Sequence, residues 1–318
     1  MQRQVPFAFL LAGVLGALAA GSPLAQDFPT RPIRMIAPVG PGAAVDIVGR
    51  VMAEGMAKML GQPVIVENRP GGQASIGYEY VAKSAPDGYT IAPGAVPSLA
   101  AMSLAVKDLR FDPVRDLPPF IGLGETRYFL AVNPSVPART LSEFVTHAQA
   151  NPGKLNYGTL SGAYTAMIES LLKPQGVSIV RINYSVPLLQ PLIAGEIQFA
   201  AMTSAQFASI ANRVRPLAVT GAQRDPTYPD VPTLAELGHP LLRGAGYQLN
   251  VAAGTPKPII AKLHDAASRA LRQPDVRARL AKLYIDIDEQ TAEVAANNLL
   301  EQGKFYADIG KQIGLKPE

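Results

Sequence analysis

A short apolar run that ends in a glycine–proline turn and passes at once into an amphipathic helix constrains this chain more than any other feature. Ile33-Arg34-Met35-Ile36-Ala37-Pro38 has the length and composition of a buried strand. It enters the turn Val39-Gly40-Pro41-Gly42-Ala43-Ala44. Beyond it Val45, Val48, Met52, Met56, Met59 and Leu60 recur at three- and four-residue spacing, which puts them on one helical face. Gly61 stops that helix and Val64-Ile65-Val66 begins a second strand. The unit then returns, with a helix expected over 76–85 and a strand over 89–92. A second block follows: strands over 129–132, 155–157, 177–182, 198–202 and 217–219, and helices over 141–150 and from about Ala166. Strands alternating with helices predict an α/β fold whose sheets are mainly parallel. Thr255-Pro256 starts a further helix, with Ile259, Ile260, Leu263, Ala267 and Leu271 on one face, and a last helix is expected over 291–313. Helices with no new strand at the end suggest that the C-terminus packs back on the first block.

With 318 residues, 48% of them hydrophobic and 17% charged, the chain is long enough for two domains and too apolar for disorder. The 28 Gly and 29 Pro show no period, which excludes collagen and coiled coil and implies many tight connections. The net charge of +4 is spread without a basic run, so a nucleic-acid partner is not expected. No cysteine is present, which removes disulfides, thiolate metal sites and a cysteine nucleophile. The first 25 residues read as a secretory leader: Arg3, an apolar stretch from Val5 to Ala20, then small residues up to Ala25, with cleavage expected near there. That stretch is shorter than the ~20 residues that span a bilayer. The mature chain is therefore expected to be exported and soluble.

Two strand–loop–helix junctions carry the functional signal. At a helix start the first backbone amides have no intrahelical acceptor, and glycine lets an anion approach them closely. Gly42 and Ala43 sit at the first such start. Asp46, in the first turn of that helix, either complements the helix dipole or accepts a hydrogen bond from a ligand. Gly158-Thr159-Leu160-Ser161-Gly162-Ala163-Tyr164-Thr165 repeats the design in the second block, and two such loops can clamp one anionic ligand. Gly40-x-Gly42-x-x-Val45 imitates a dinucleotide fingerprint, but Val45 stands where Gly or Ala is needed and Pro41 stiffens the turn. Ser161 invites a hydrolase reading without the Gly-x-Ser-x-Gly elbow. No histidine or carboxylate pair has metal-ligand spacing, so neither a metal nor a cofactor is expected.

The chain resembles a known family through an ordered series of motifs. These are Phe28-Pro29-Thr30-Arg31-Pro32-Ile33-Arg34, the loop from Pro38 to Asp46, Gly61-Gln62-Pro63-Val64-Ile65-Val66-Glu67-Asn68-Arg69-Pro70-Gly71-Gly72 and Ala85-Pro86-Asp87-Gly88-Tyr89-Thr90. Later come Phe111-Asp112-Pro113-Val114-Arg115-Asp116, Asn151-Pro152-Gly153-Lys154-Leu155-Asn156-Tyr157-Gly158 and Asp230-Val231-Pro232-Thr233. Together they are similar to the Bug-type extracytoplasmic solute receptors of tripartite tricarboxylate transporters, over roughly residues 28–315. The resemblance implies a type II-like periplasmic binding protein whose two domains close on a small carboxylate, non-catalytic and monomeric, which hands its ligand to integral membrane transporter subunits. It implies a discontinuous first domain, 26–127 with 249–318, a second domain over 128–248, and hinges near 125–128 and 245–249. A sensor using the same closure, or an exported hydrolase using Ser161 or Asp46, are the alternatives.

The ligand-binding set expected on these grounds is Gly42, Ala43, Asp46, Ser98, Thr159, Ser161, Gly162, Ala163, Tyr164, Tyr184, Met202 and Thr203. Relative to the family pattern, Ala163 and Tyr164 replace glycine and threonine. Asn183-Tyr184-Ser185 replaces a stretch that carries lysine, and Met202-Thr203 replaces an Asp-Asn pair. Tyr164, Tyr184 and Met202 would then form an apolar wall and favour a monocarboxylate with an aromatic or apolar body.

Overall fold

The computed structural model of the chain describes residues 28–159, 162–184, 188–221, 223–239 and 242–314. The expected leader, and with it the cleavage site near Ala25, lies outside the described residues. Two sheets organise the rest, each flanked by helices.

The first sheet begins with β1 (Ile33–Ala37), β2 (Val64–Asn68) and β3 (Thr90–Ala95). β1 lies between the other two and runs parallel to both, with Met35 opposite Val66 on one side and Ile91 on the other. Helix α1 (Ala44–Leu60) joins β1 to β2 and buries Val48, Val51, Met52 and Met56 on the sheet. Each such side chain contributes roughly 1.5–3 kcal/mol on removal from water. The helix stops at Gly61, whose φ of 66° suits glycine and whose N–H bonds back to Ala57. The opposite face of the sheet is covered by α2 (Ser75–Ala82), α3 (Val96–Ala100), the short α4 (Met102–Ala105) and the C-terminal helix α11 (Ala292–Ile313), around Ile36, Tyr78, Leu99 and Leu299.

β4 (Pro119–Thr126) extends this sheet, and after Arg127 the chain passes directly into β5 (Tyr128–Val132) of the second sheet. The second sheet has the order β7-β6-β8-β5-β9, with β6 (Asn156–Thr159), β7 (Val180–Asn183), β8 (Phe199–Thr203) and β9 (Arg215–Val219). Helices α5 (Leu141–Ala150), α6 (Gly162–Leu172), α7 (Leu189–Ala194) and α8 (Ser204–Ile210) accompany it. The chain then returns to the first sheet as β10 (Ala245–Val251), followed by α9 (Lys257–Leu271), α10 (Pro274–Ala281) and β11 (Asp286–Thr291). Helix α9 packs on α1 and β4, so the C-terminal segment does rejoin the first block. A Cβ on Gly55 would lie 2.8 Å from that of Ala270, which is how closely α1 and α9 approach.

Three expectations change. The sheets are mixed, not mainly parallel. β10 and β4 pair antiparallel in the first sheet, and β5 is antiparallel to both β8 and β9 in the second. The chain leaves the first sheet and re-enters it through these strands, which reverse the direction set by the strand–helix units. β11 is a strand where only helix was expected; its polar sequence, DIDEQT, suits an exposed sheet edge. The return crossing lies just ahead of the expected 245–249, because those residues already belong to β10. It passes at Gly244, where a Cβ would lie 2.3 Å from the carbonyl oxygen of Thr126, so the two crossings run in contact.

Candidate functional site

The turn between β1 and α1 is held in shape by one carboxylate. Asp46 is 1% exposed, and its two oxygens accept from the Gly42 N–H (2.9 Å), Asn68 Nδ2 (2.7 Å) and Arg50 Nε (3.1 Å). A terminal guanidinium nitrogen of Arg50 lies 3.0 Å from its second oxygen and also donates to Asn68 Oδ1 at 2.8 Å. Asn68, at the end of β2, donates in addition to the Val39 carbonyl at 2.9 Å. Burial alone would raise the Asp46 carboxyl. The hydrogen bonds from Arg50, the Gly42 amide and Asn68 outweigh it and hold the group below the usual carboxylate range. Asp46 therefore shapes the loop from behind, and Arg50 neutralises its charge.

With the loop so fixed, the start of α1 is left open. Ala43 is the N-cap, in extended conformation, and its side chain offers no oxygen to the helix. The first helical hydrogen bond runs from the Ile47 N–H to the Ala43 carbonyl at 3.0 Å. The Gly42 amide is taken by Asp46 and that of Ala43 by the Gly40 carbonyl at 3.4 Å. Among the described residues, the N–H groups of Ala44, Val45 and Asp46 have no acceptor. Three converging donors at the positive end of a 17-residue helix are what a carboxylate oxygen needs. The donors expected at Gly42 and Ala43 are thus displaced by one turn position, to Ala44, Val45 and Asp46. Gly42 keeps a conformational role, with φ of 83°.

The second loop is placed opposite by helix packing. Thr159 ends β6, buried, with its hydroxyl 2.9 Å from that of Thr165 in α6. Gly162 opens α6, and Ala163 is buried in one cluster with Ile36, Val96 and Leu99 of the first sheet's helical face. The start of α6 therefore touches α3, the short helix that carries the half-buried Ser98. The Tyr184 N–H donates to the Thr159 carbonyl at 2.9 Å, which sets Tyr184 beside this loop. Ser161 and Ser185 lie outside the described residues.

The remaining expected residues have other duties. Met202 is 1% exposed and packs with Phe129, Leu188, Leu192 and Phe207 in the core of the second sheet. Thr203 caps α8: its hydroxyl accepts from the Gln206 N–H, and the Gln206 side chain returns the bond to the Thr203 N–H at 3.0 Å. Thr203-Ser204-Ala205-Gln206 is a capping box legible in the sequence. Tyr164 packs its ring against that of Tyr128, centroids 5.0 Å apart and tilted by 55°, sharing a hydrogen bond with it, close to Tyr247 of β10 and Tyr306 of α11. Burial raises all four phenols, Tyr247 to about 12. The apolar wall expected from Tyr164, Tyr184 and Met202 is therefore not assembled, and the preference for an aromatic monocarboxylate loses its basis. Among the described residues no group of three His, Cys, Asp or Glu side chains can hold a metal ion, and no helix is long and apolar enough to cross a membrane.

The family model described as tripartite tricarboxylate transporter family receptor matches residues 48–315. The chain belongs to this family. A relative from Cupriavidus necator, named UPF0065 protein in gbd 5'region, is 34% identical over 94% of this chain and 96% of its own length. A solved structure titled as a periplasmic transporter superposes with a TM-score of 0.79 at 32% identity, covering 91% of this chain and 99% of its own. MatC from Rhodopseudomonas palustris, solved with bound malate, gives a TM-score of 0.75 at 30% identity over 89% of this chain and 99% of its own. The two mixed sheets flanked by helices are the architecture shared with these solved structures.

Proposed function

We propose that the protein is a periplasmic solute-binding receptor that captures a small carboxylate between its two sheets and delivers it to the membrane subunits of a tripartite transporter. The observation that carries this reading is the open first turn of α1. Among the described residues three backbone donors lack an acceptor, the N-cap has no side-chain oxygen, and the Asp46 carboxylate is already neutralised by Arg50. A ligand carboxylate completes that turn as a capping side chain would, with charge-assisted bonds to backbone N–H groups. Gly162 and Tyr184 close over it from the second sheet, with the buried Thr159 beneath them, and the paired crossings at Arg127 and Gly244 are the hinge on which residues 128–243 move against the rest. The malate seen in MatC supports a carboxylate as the ligand class. With Asp46 paired to Arg50, a second ligand carboxylate meets no unscreened negative charge at this loop, so dicarboxylates fit as well as monocarboxylates.

A thermal-shift screen of mono-, di- and tricarboxylates, malate and benzoate included, tests the reading. A ligand at 100 times its dissociation constant stabilises the fold by about 2.7 kcal/mol. At least one small aliphatic carboxylate is expected to do so. A screen in which no carboxylate raises the melting temperature sinks the proposal.

A further inference from the structure

Behind the loop that opens onto α1 lies a second concavity, between α2 and the exposed end of the first sheet, of about 540 Å³. Four cations line it: Arg31, Arg34, Arg69 and Lys83. Three are matched. Arg31 lies 3.1 Å from Asp87, Lys83 2.5 Å from Glu79, and Arg34 grips both oxygens of Glu67 at 2.6 and 2.7 Å while donating to the Tyr80 hydroxyl. Arg69 is different. Among the described residues no carboxylate lies within ion-pair distance of it. Glu67 feels its charge but is already chelated by Arg34.

Arg69 is nevertheless held in place. Its guanidinium stacks on the Tyr80 ring at 3.9 Å, on the ring that Arg34 also approaches at 5.3 Å. Stacking orients the fork and leaves its N–H donors free in the plane, the geometry that grips two oxygens of one group. Ile76, 54% exposed, adds an apolar edge to the same pocket. The pocket's volume lies within the range of small-molecule sites.

We propose that this pocket is a second anion site, in which Arg69 binds a carboxylate or phosphate group of a small molecule in a bidentate manner. The site is distinct from the open turn of α1. Gly77 of α2 separates them, pressed so close to Pro38 and the Arg69 carbonyl that a Cβ there would fall 2.6 and 2.8 Å from their atoms.

The test is a nuclear magnetic resonance titration of the full mature chain with inorganic phosphate, and separately with acetate, following the Arg69 side-chain N–H and the Ile76 and Tyr80 amides. Saturable shifts with a dissociation constant of about 1 mM are expected at these groups, with the tighter of the two anions naming the preferred oxyanion. In Arg69→Gln the affinity falls at least about tenfold; in Arg69→Lys, which keeps the charge but loses the fork, it falls less. Shifts that are linear and reproduced by sodium chloride of equal ionic strength overturn the proposal. So do shifts confined to residues 40–46, or shifts at Ile76 and Tyr80 that persist unchanged in Arg69→Gln.

Discussion

Replacing Asp46 by alanine separates a residue that shapes the loop from one that touches ligand. The substitution strips acceptors from the Gly42 N–H, from Asn68 Nδ2 and from two Arg50 nitrogens, at 2.7 to 3.1 Å. Hydrogen bonds to a charged group are worth roughly 1.5–3 kcal/mol each before rehydration. Arg50 is 43% exposed and Gly42 is exposed, so both regain water, and the Arg50 share is discounted accordingly. The removed carboxylate was itself costly to bury. The net loss is about 2–4 kcal/mol, or roughly 4–10 °C in melting temperature for a chain of this size. It should be present without ligand, measured by calorimetry or circular dichroism. Asn68→Ala and Arg50→Ala should each be less than additive with it, with coupling of about 0.5–3 kcal/mol. The acid limb gives an independent check. Because the folded carboxyl is held below its ordinary value, its contribution is complete above about pH 4 and is lost as pH falls through the folded value. Asp46→Asn should lack that part of the acid loss. A melting temperature for Asp46→Ala within about 1 °C of wild type refutes the reasoning.

Three further outcomes follow from the packing. Met202→Ala should cost about 2–5 kcal/mol as a core cavity while leaving the order of preference among carboxylates unchanged; a switch in that order places Met202 in the site after all. Gly77→Ala forces a Cβ onto Pro38 and should cost about 1–3 kcal/mol and weaken carboxylate binding, both read in one thermal-shift series; an unchanged melting temperature contradicts the close contact. At alkaline pH the unfolded chain ionises its tyrosines first, because burial raises Tyr128, Tyr164, Tyr247 and Tyr306 in the fold. Their contribution is therefore complete below about pH 10 and declines above it. Tyrosine absorbance at alkaline pH should rise with unfolding rather than before it, and full ionisation in the folded state counts against the buried cluster.

Much of the first half of the site was legible because local chemistry dictates it. The apolar run into Gly40-Pro41-Gly42 and the helical spacing after it are short-range signals, and β1, its turn and α1 lie where those signals put them. The i,i+4 spacing of Asp46 and Arg50 was visible too. Their union with Asn68, 22 residues on from Asp46, was not, because β1–β2 pairing brings it about. Strand direction has no local signature either: nothing in the residues of β4, β5 or β10 marks an antiparallel strand, and only their places in the two sheets make them so. The burial of Met202 is hidden in the sequence for a similar reason. In Phe199-Ala200-Ala201-Met202-Thr203 every residue up to Met202 is apolar, so alternation does not say which face meets the core; both do, in different clusters. Exposed, polar β11 gives no strand pattern at all and forms by pairing with β4.

The central claim is that a ligand carboxylate is held by the free first-turn amides of α1, and Ala44→Pro tests it most directly. Proline is well tolerated at the first helical position, and Ala43 already has the extended backbone, φ −68° and ψ 154°, that a following proline requires. The substitution deletes one of the three donors and little else. Calorimetric titration with the strongest carboxylate from the screen should show affinity reduced about tenfold, the worth of one charge-assisted hydrogen bond, with the melting temperature of the unliganded protein unchanged. Wild-type affinity in Ala44→Pro, with the fold intact, contradicts the account.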